Sequence, residues 1–141
     1  MNRAAVYATS IVLAHLLVTI GHGLAHHELG VGLSAVGSLF VKTFVLACPL
    51  VAVALVWTHR AARFGLILLS ISMFVSLAFG LFHHFLAGGP DNIEAQPMNP
   101  WGTTFIVTAY ALLVTEALGL YVGVHFLRRR VHHATSAEAA L

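Results

Sequence analysis

The chain has 141 residues, of which 59% are hydrophobic and only 9% charged, with a formal net charge of +2. Soluble domains carry about 25% charged residues, so this composition excludes a disordered chain, a coiled coil and an ordinary soluble globule. A mean hydropathy of +0.89 points instead to a protein whose solvent is largely lipid.

Apolar runs and their breaks predict four membrane-spanning helices, each near the roughly 20 residues that a bilayer requires. The first covers about 4–25 and ends at the polar His26-His27-Glu28. It is longer than the apolar core of a secretory signal and is read as a retained span. A glycine-containing stretch leads to the second span, about 39–57, interrupted only by Lys42 and by Pro49 after Cys48. A short basic loop with His59, Arg60 and Arg63 precedes the third span, about 64–86. A loop rich in Gly, Pro, Asn and acids then stops the chain before the fourth span, about 101–127. That span ends on Arg128-Arg129-Arg130, and a short polar tail over 131–141, with His132 and His133, follows. The expected fold is therefore an all-α integral membrane protein, a four-transmembrane-helix bundle forming one domain over 1–130.

Charge gives an orientation. Arg3, Arg60, Arg63, Arg128, Arg129 and Arg130 fall on one side of the four-span arrangement, and Glu28, Asp91 and Glu94 on the other. The positive-inside rule places both termini in the cytoplasm and the His26-His27-Glu28 turn and long loop outside. Trp57 and Trp101 anchor opposite interfaces. Such sparse, loop-end basic residues read as topology signals, and no nucleic-acid partner is expected.

Ten histidines outnumber the seven Lys and Arg residues, and a single cysteine excludes both an intrachain disulfide and a thiolate metal cage. Ionisable residues inside a membrane are functional candidates, so the direction each histidine faces matters. At roughly 100° per residue, His15, Thr19, His22 and His26 project from one sector of the first helix. Ser72, Ser76 and His83 share a stripe on the third helix, with Gly80 nearby, while His84 faces a neighbouring helix or the lipid interface. On the fourth, Glu116 shares a face with Phe105, Ala109, Leu112, Gly119 and Gly123. His125 lies on the opposite side.

Two groupings follow. Near the outer face, His22 and His26 at i and i+4, with His83 at matching depth and His84 beside it, are candidate ligands for one metal centre. His27, Glu28 and Asp91 are candidate outer-shell groups. Imidazole without thiolate suits copper, iron, zinc or nickel. Haem b is the rival, with His22 and His83 as axial ligands and Gly21, Gly23 and Gly80 clearing room for the macrocycle. Near mid-membrane, His15 and Glu116 form a candidate proton relay with Thr19, Ser72 and Ser76. An acid at that depth is costly when charged, so Glu116 is expected to be paired or protonated. His22 to His27 has the H-x-x-x-H-H form of one histidine box of membrane desaturases and hydroxylases, but the companion boxes are missing and that family is not assigned.

These features predict a membrane-embedded haem- or transition-metal-binding protein in redox or electron-transfer work, as a homo-oligomer or a subunit of a larger membrane complex. The alternatives are metal-ion transport or handling, and a structural accessory subunit whose histidines only tie helices together.

Overall fold

The computed structural model describes the backbone of residues 2–58 and 60–138 and, His59 apart, side chains as far as residue 129. Four long helices fold up-down-up-down: α1 (Arg3–Glu28), α2 (Ala35–Trp57), α3 (Ala62–Leu86) and α4 (Pro100–Glu138). No strand occurs among the described residues. All four helices are long and apolar enough to cross a membrane, α4 over Pro100–Arg129. The surface has the matching inversion: large apolar side chains such as Leu17, Val36 and Phe64 face outward, while His15, His22, Ser72, Ser76, His84 and Glu116 are buried. In lipid a helix satisfies its own backbone, so polar side chains seek the bundle interior. Beyond Arg129 the backbone of α4 stays helical to Glu138, and no Gly or Pro interrupts that stretch. The expectations for His59, His132 and His133 lie outside the described side chains.

The two halves of the bundle differ. At the end where α1 begins, Ala4, Ala5, Ala8 and Val12 let the helices approach closely and pack on Ala52, Val56, Leu66, Leu69 and Met73. Asn2 Nδ2 donates to the Val56 carbonyl (3.2 Å) and Trp57 Nε1 to Thr9 Oγ1 (3.0 Å), tying α1 to the end of α2.

At the other end the packing loosens. Here α2 and α3 each contain π-helical turns, Val41–Ala47 and Phe82–Leu86. The first lies just before Pro49, which has no N–H to offer the Val45 carbonyl four residues back. His15 Nε2 lies 3.2 Å from that oxygen and donates to it. Between α1, the first half of α2 and α3 runs a cavity of about 690 Å³, with His22, His26, His84, Asp91 and Glu116 among its lining residues.

Candidate metal centre

Three elements bring the site together. His22 and His26 come from the last turns of α1, His84 from the π-turns of α3, and Asp91 from the loop that follows. Their ligating atoms converge: His22 Nε2 lies 3.2 Å from His26 Nε2 and 3.2 Å from His84 Nε2. The three imidazoles each offer a nitrogen within 4.8 Å of the others, and the group could hold a metal ion. Asp91 Oδ1 lies 3.2 Å from His26 Nε2 and 3.4 Å from His84 Nδ1.

The opposite ring nitrogens decide what those Nε2 atoms carry. His26 Nδ1 lies 3.0 Å from the Val31 carbonyl, and His84 Nδ1 lies 2.9 Å from the Asp91 carbonyl. A carbonyl only accepts, so both Nδ1 atoms carry hydrogens and donate. His22 Nδ1 lies 2.9 Å from Thr108 Oγ1, whose own hydrogen is directed to the Thr104 carbonyl at 2.6 Å. It too must donate. A neutral imidazole has one N–H, so when all three rings are neutral their Nε2 atoms present lone pairs to one another. Three facing lone pairs repel, and a cation between them removes the conflict. This is the arrangement by which metal-binding histidines are oriented through their distal nitrogens.

Local sequence explains each placement. α1 stops in a glycine-dependent cap: Gly30 has φ +66°, the Val31 N–H reaches the His26 carbonyl and the Gly30 N–H the His27 carbonyl. The same turn aims the Val31 carbonyl at His26 Nδ1. Asn92 Nδ2 donates to the Ala87 carbonyl, and the buried Gln96 amide donates to the carbonyls of Pro90 and Asn92, each at 2.8 Å. These bonds hold Asp91 against the histidines. Phe105, fully buried, packs its ring on His22, His26 and His84, with centroids 4.7, 4.9 and 5.3 Å away. It gives the site an apolar wall.

Asp91 is half-buried, but both of its carboxylate oxygens are shielded from solvent and neither has a hydrogen-bond partner of good geometry. Burial by itself would raise its pKa. The neighbouring His84 N–H, and the charge that His84, His26 and His22 carry when protonated, outweigh this and hold the carboxylate below its ordinary value. An under-bonded anion beside three lone pairs completes a donor set for a cation.

The arrangement corrects part of the sequence reading. His83 does not join the cluster; its ring packs on Phe79 at 4.2 Å and Phe82 at 5.2 Å, and His84 takes the inward place. The reason is the π-turn: each residue of a wider turn rotates by less than an α-helical residue, so the inward stripe of Ser72 and Ser76 passes to the residue after His83. His27 and Glu28 are not at the centre either. They lie 3.5 Å from each other, and the His27 side chain is 83% exposed. The direct His15–Glu116 pair is not formed. His15 Nδ1 meets Thr115 Oγ1 at 3.3 Å, and Thr115, one residue before Glu116, is the side chain that faces α1.

Glu116 is 2% exposed, and its Oε2 has no hydrogen-bond partner. It faces α3 instead: a Cβ placed on Gly80 would lie 3.8 Å from Glu116 Oε2 and 3.9 Å from the His84 ring. Glu116 and the three histidines thus share one cavity. The sequence reading did not single out Thr108, Gln96, Gly30 or Phe105 as parts of the centre. Two of them left a trace: Thr108 in its four-residue spacing from Thr104, and Phe105 in the face it shares with Glu116.

No protein-family model, no curated protein and no solved structure matches this chain.

Proposed function

We propose that this is a membrane metal-binding protein whose centre is one non-haem transition-metal ion. The ion is held by Nε2 of His22, His26 and His84, with Asp91 as an oxygen donor. The observation that supports this reading is the convergence of three Nε2 lone pairs, each fixed by an acceptor on the far side of its ring. Metal–imidazole bonds of 2.0–2.1 Å in a tetrahedron put neighbouring nitrogens about 3.3 Å apart. The two 3.2 Å separations match that spacing.

The same geometry favours an ion over haem. Axial nitrogens on opposite faces of a macrocycle stand roughly 4 Å apart, at twice a metal–nitrogen bond. Here the His22 and His84 rings meet edge to face at a centroid distance of 4.8 Å, with no slab between them. Copper or iron in this apolar, Phe105-walled site makes it a redox centre; zinc makes it a handling or Lewis-acid site. The purified protein is expected to contain about one transition-metal ion per chain by elemental analysis and to show no porphyrin absorption. A reversible spectroscopic change on reduction identifies the redox case. A chain that purifies without metal, and takes up none of copper, iron or zinc on reconstitution, refutes the proposal.

One observation favours ion relay as a second reading. The cavity beside the histidines leads to the unpartnered Glu116 carboxyl, which would receive an ion leaving the first position. Under relay, Glu116→Gln keeps the metal at the histidines but stops uptake into vesicles. Uptake at the wild-type rate in Glu116→Gln rejects relay and leaves the bound-ion reading intact.

We place the centre at the outer end of the bundle with both termini cytoplasmic, on the charge asymmetry described above.

A further inference from the structure

The end of the bundle where α1 begins carries a second cavity, of about 560 Å³, on its flank between the first turns of α1 and the last apolar turns of α4. Its α1 wall holds Arg3 and Tyr7, four residues apart. Its α4 wall holds Tyr121, His125 and Arg129, at successive four-residue steps on one face. Phe126 joins the walls by packing on Tyr7 at a centroid distance of 5.7 Å, and His125 lies 5.5 Å from the Tyr121 ring. Val6 and Val122 complete an apolar floor, and none of the lining residues is acidic.

We propose that this cleft binds the headgroup phosphate of an anionic phospholipid. Two arginines lining one cleft whose wall holds no acidic residue form an anion site, and planar guanidinium forks match phosphate oxygens. Depth selects a lipid as the source of the phosphate. Arg3 opens α1 and Arg129 lies two residues past Leu127, where the apolar run of α4 ends, so both stand at the level where a bilayer changes from acyl chain to headgroup. Tyr7 and Tyr121 are both exposed on the flank of the bundle, which puts the cleft's opening toward lipid. The valines beneath the arginines meet the first carbons of the acyl chains. Basic pockets between membrane helices hold anionic headgroups in this way.

The site is independent of the metal centre, which lies at the opposite end of the bundle. The test is native mass spectrometry of the full-length protein in detergent with equal amounts of phosphatidylglycerol and phosphatidylcholine. The wild type is expected to retain one phosphatidylglycerol in preference to phosphatidylcholine. Arg3→Gln/Arg129→Gln is expected to lower that preference roughly tenfold, the scale of losing charge-assisted hydrogen bonds. Arg60→Gln/Arg63→Gln, at the same end but outside the cleft, keeps it. Tyr121→Leu, which leaves every charge in place, lowers it by a smaller factor and guards against misfolding of the double arginine variant. Equal retention of the two lipids by the wild type overturns the proposal, as does an unchanged preference in both cleft variants. Displacement of the lipid by excess inorganic phosphate reassigns the cleft to a soluble anion and overturns it as well.

Discussion

Thr108 Oγ1 accepts a hydrogen bond from His22 Nδ1 at 2.9 Å while its own hydrogen goes to the Thr104 carbonyl. The hydroxyl is thereby fixed as an acceptor, and the imidazole beside it is fixed with its Nε2 lone pair toward His26 and His84. A residue that touches no ion thus decides whether His22 can bind one. Outer partners of this kind typically change metal affinity 10- to 100-fold. Thr108→Val, nearly isosteric, is expected to weaken binding by about that factor while leaving one ion per chain at saturating metal. Thr108→Ser should bind like the wild type. Competition against a chelator of known affinity measures both; equal affinities for Val and wild type would refute the tautomer argument.

The ligands themselves give a sharper contrast. His22→Ala, His26→Ala and His84→Ala each remove one of three converging donors and are expected to abolish retention of the ion through purification. His83→Ala, whose ring packs on Phe79 and Phe82, should retain it. Adjacent histidines on one helix thereby have opposite outcomes. Elemental analysis of the four variants checks this, and loss of metal in His83→Ala alone would reverse the assignment.

How far the sequence reveals this site depends on which physical rule placed each residue. The spacing of His15, His22 and His26 identifies the inward face of α1 because that helix is regular throughout. The buried face of α4, from Phe105 through Glu116 to Gly123, is legible for the same reason. From the sequence, His84 is named only as the neighbour of His83, because a periodicity argument assumes α-helical turns and α3 ends in π-turns. The partner of His15 escapes the sequence for another reason: Thr115 and Glu116 stand at the same depth, and only the rotation of α4 chooses between them. Asp91 belongs to a loop whose course is set by Asn92 and Gln96 side chains bonding to backbone. No pattern of polarity along the chain encodes such bonds.

The close approach of α2 and α3 depends on Gly65. A Cβ there would lie 2.7 Å from the Val56 nitrogen and 2.8 Å from the Ala52 carbonyl oxygen. Both are backbone atoms of a packed helix and cannot move aside alone. Gly65→Ala is expected to destabilise the bundle by roughly 1–3 kcal/mol, the usual cost of overpacking. At Gly119 an added Cβ meets only the Met73 side chain, which is flexible enough to yield, so Gly119→Ala should cost less. Unfolding in mixed micelles compares the two, and equal losses would contradict the packing described here.

Asp91 gives a pH signature in the metal-free protein. Its carboxylate sits below its ordinary value of 3.8 in the folded chain because the histidine imidazoles outweigh its burial. A group with a depressed folded value contributes stability above its unfolded value, and that contribution is lost as pH falls through the folded one. The wild type should therefore lose stability relative to Asp91→Asn as pH drops below about 4. At higher pH the wild type should be the more stable of the two. Thermal unfolding of both proteins in detergent, with chelator present, tests the sign; parallel pH curves would show that Asp91 is not coupled to the cluster.

The final prediction concerns the side from which the centre is loaded. In the up-down-up-down bundle, Arg3, Arg60, Arg63, Arg128 and Arg129 gather at one end, and the loop bearing Asp91 and Glu94 caps the other. Positive residues in short loops resist translocation, so the arginine end is expected to stay in the cytoplasm. Thr58, in the short connection between α2 and α3, reports on that end, and the fully exposed Met98 reports on the loop. In a Cys48→Ala background, Met98→Cys should react with a membrane-impermeant maleimide on intact cells. Thr58→Cys should react only after the membrane is opened. Labelling of both from one side would break the four-span arrangement itself. The reverse pattern would keep the bundle but turn the histidine cluster toward the cytoplasm, so that the ion would be drawn from the intracellular metal pool.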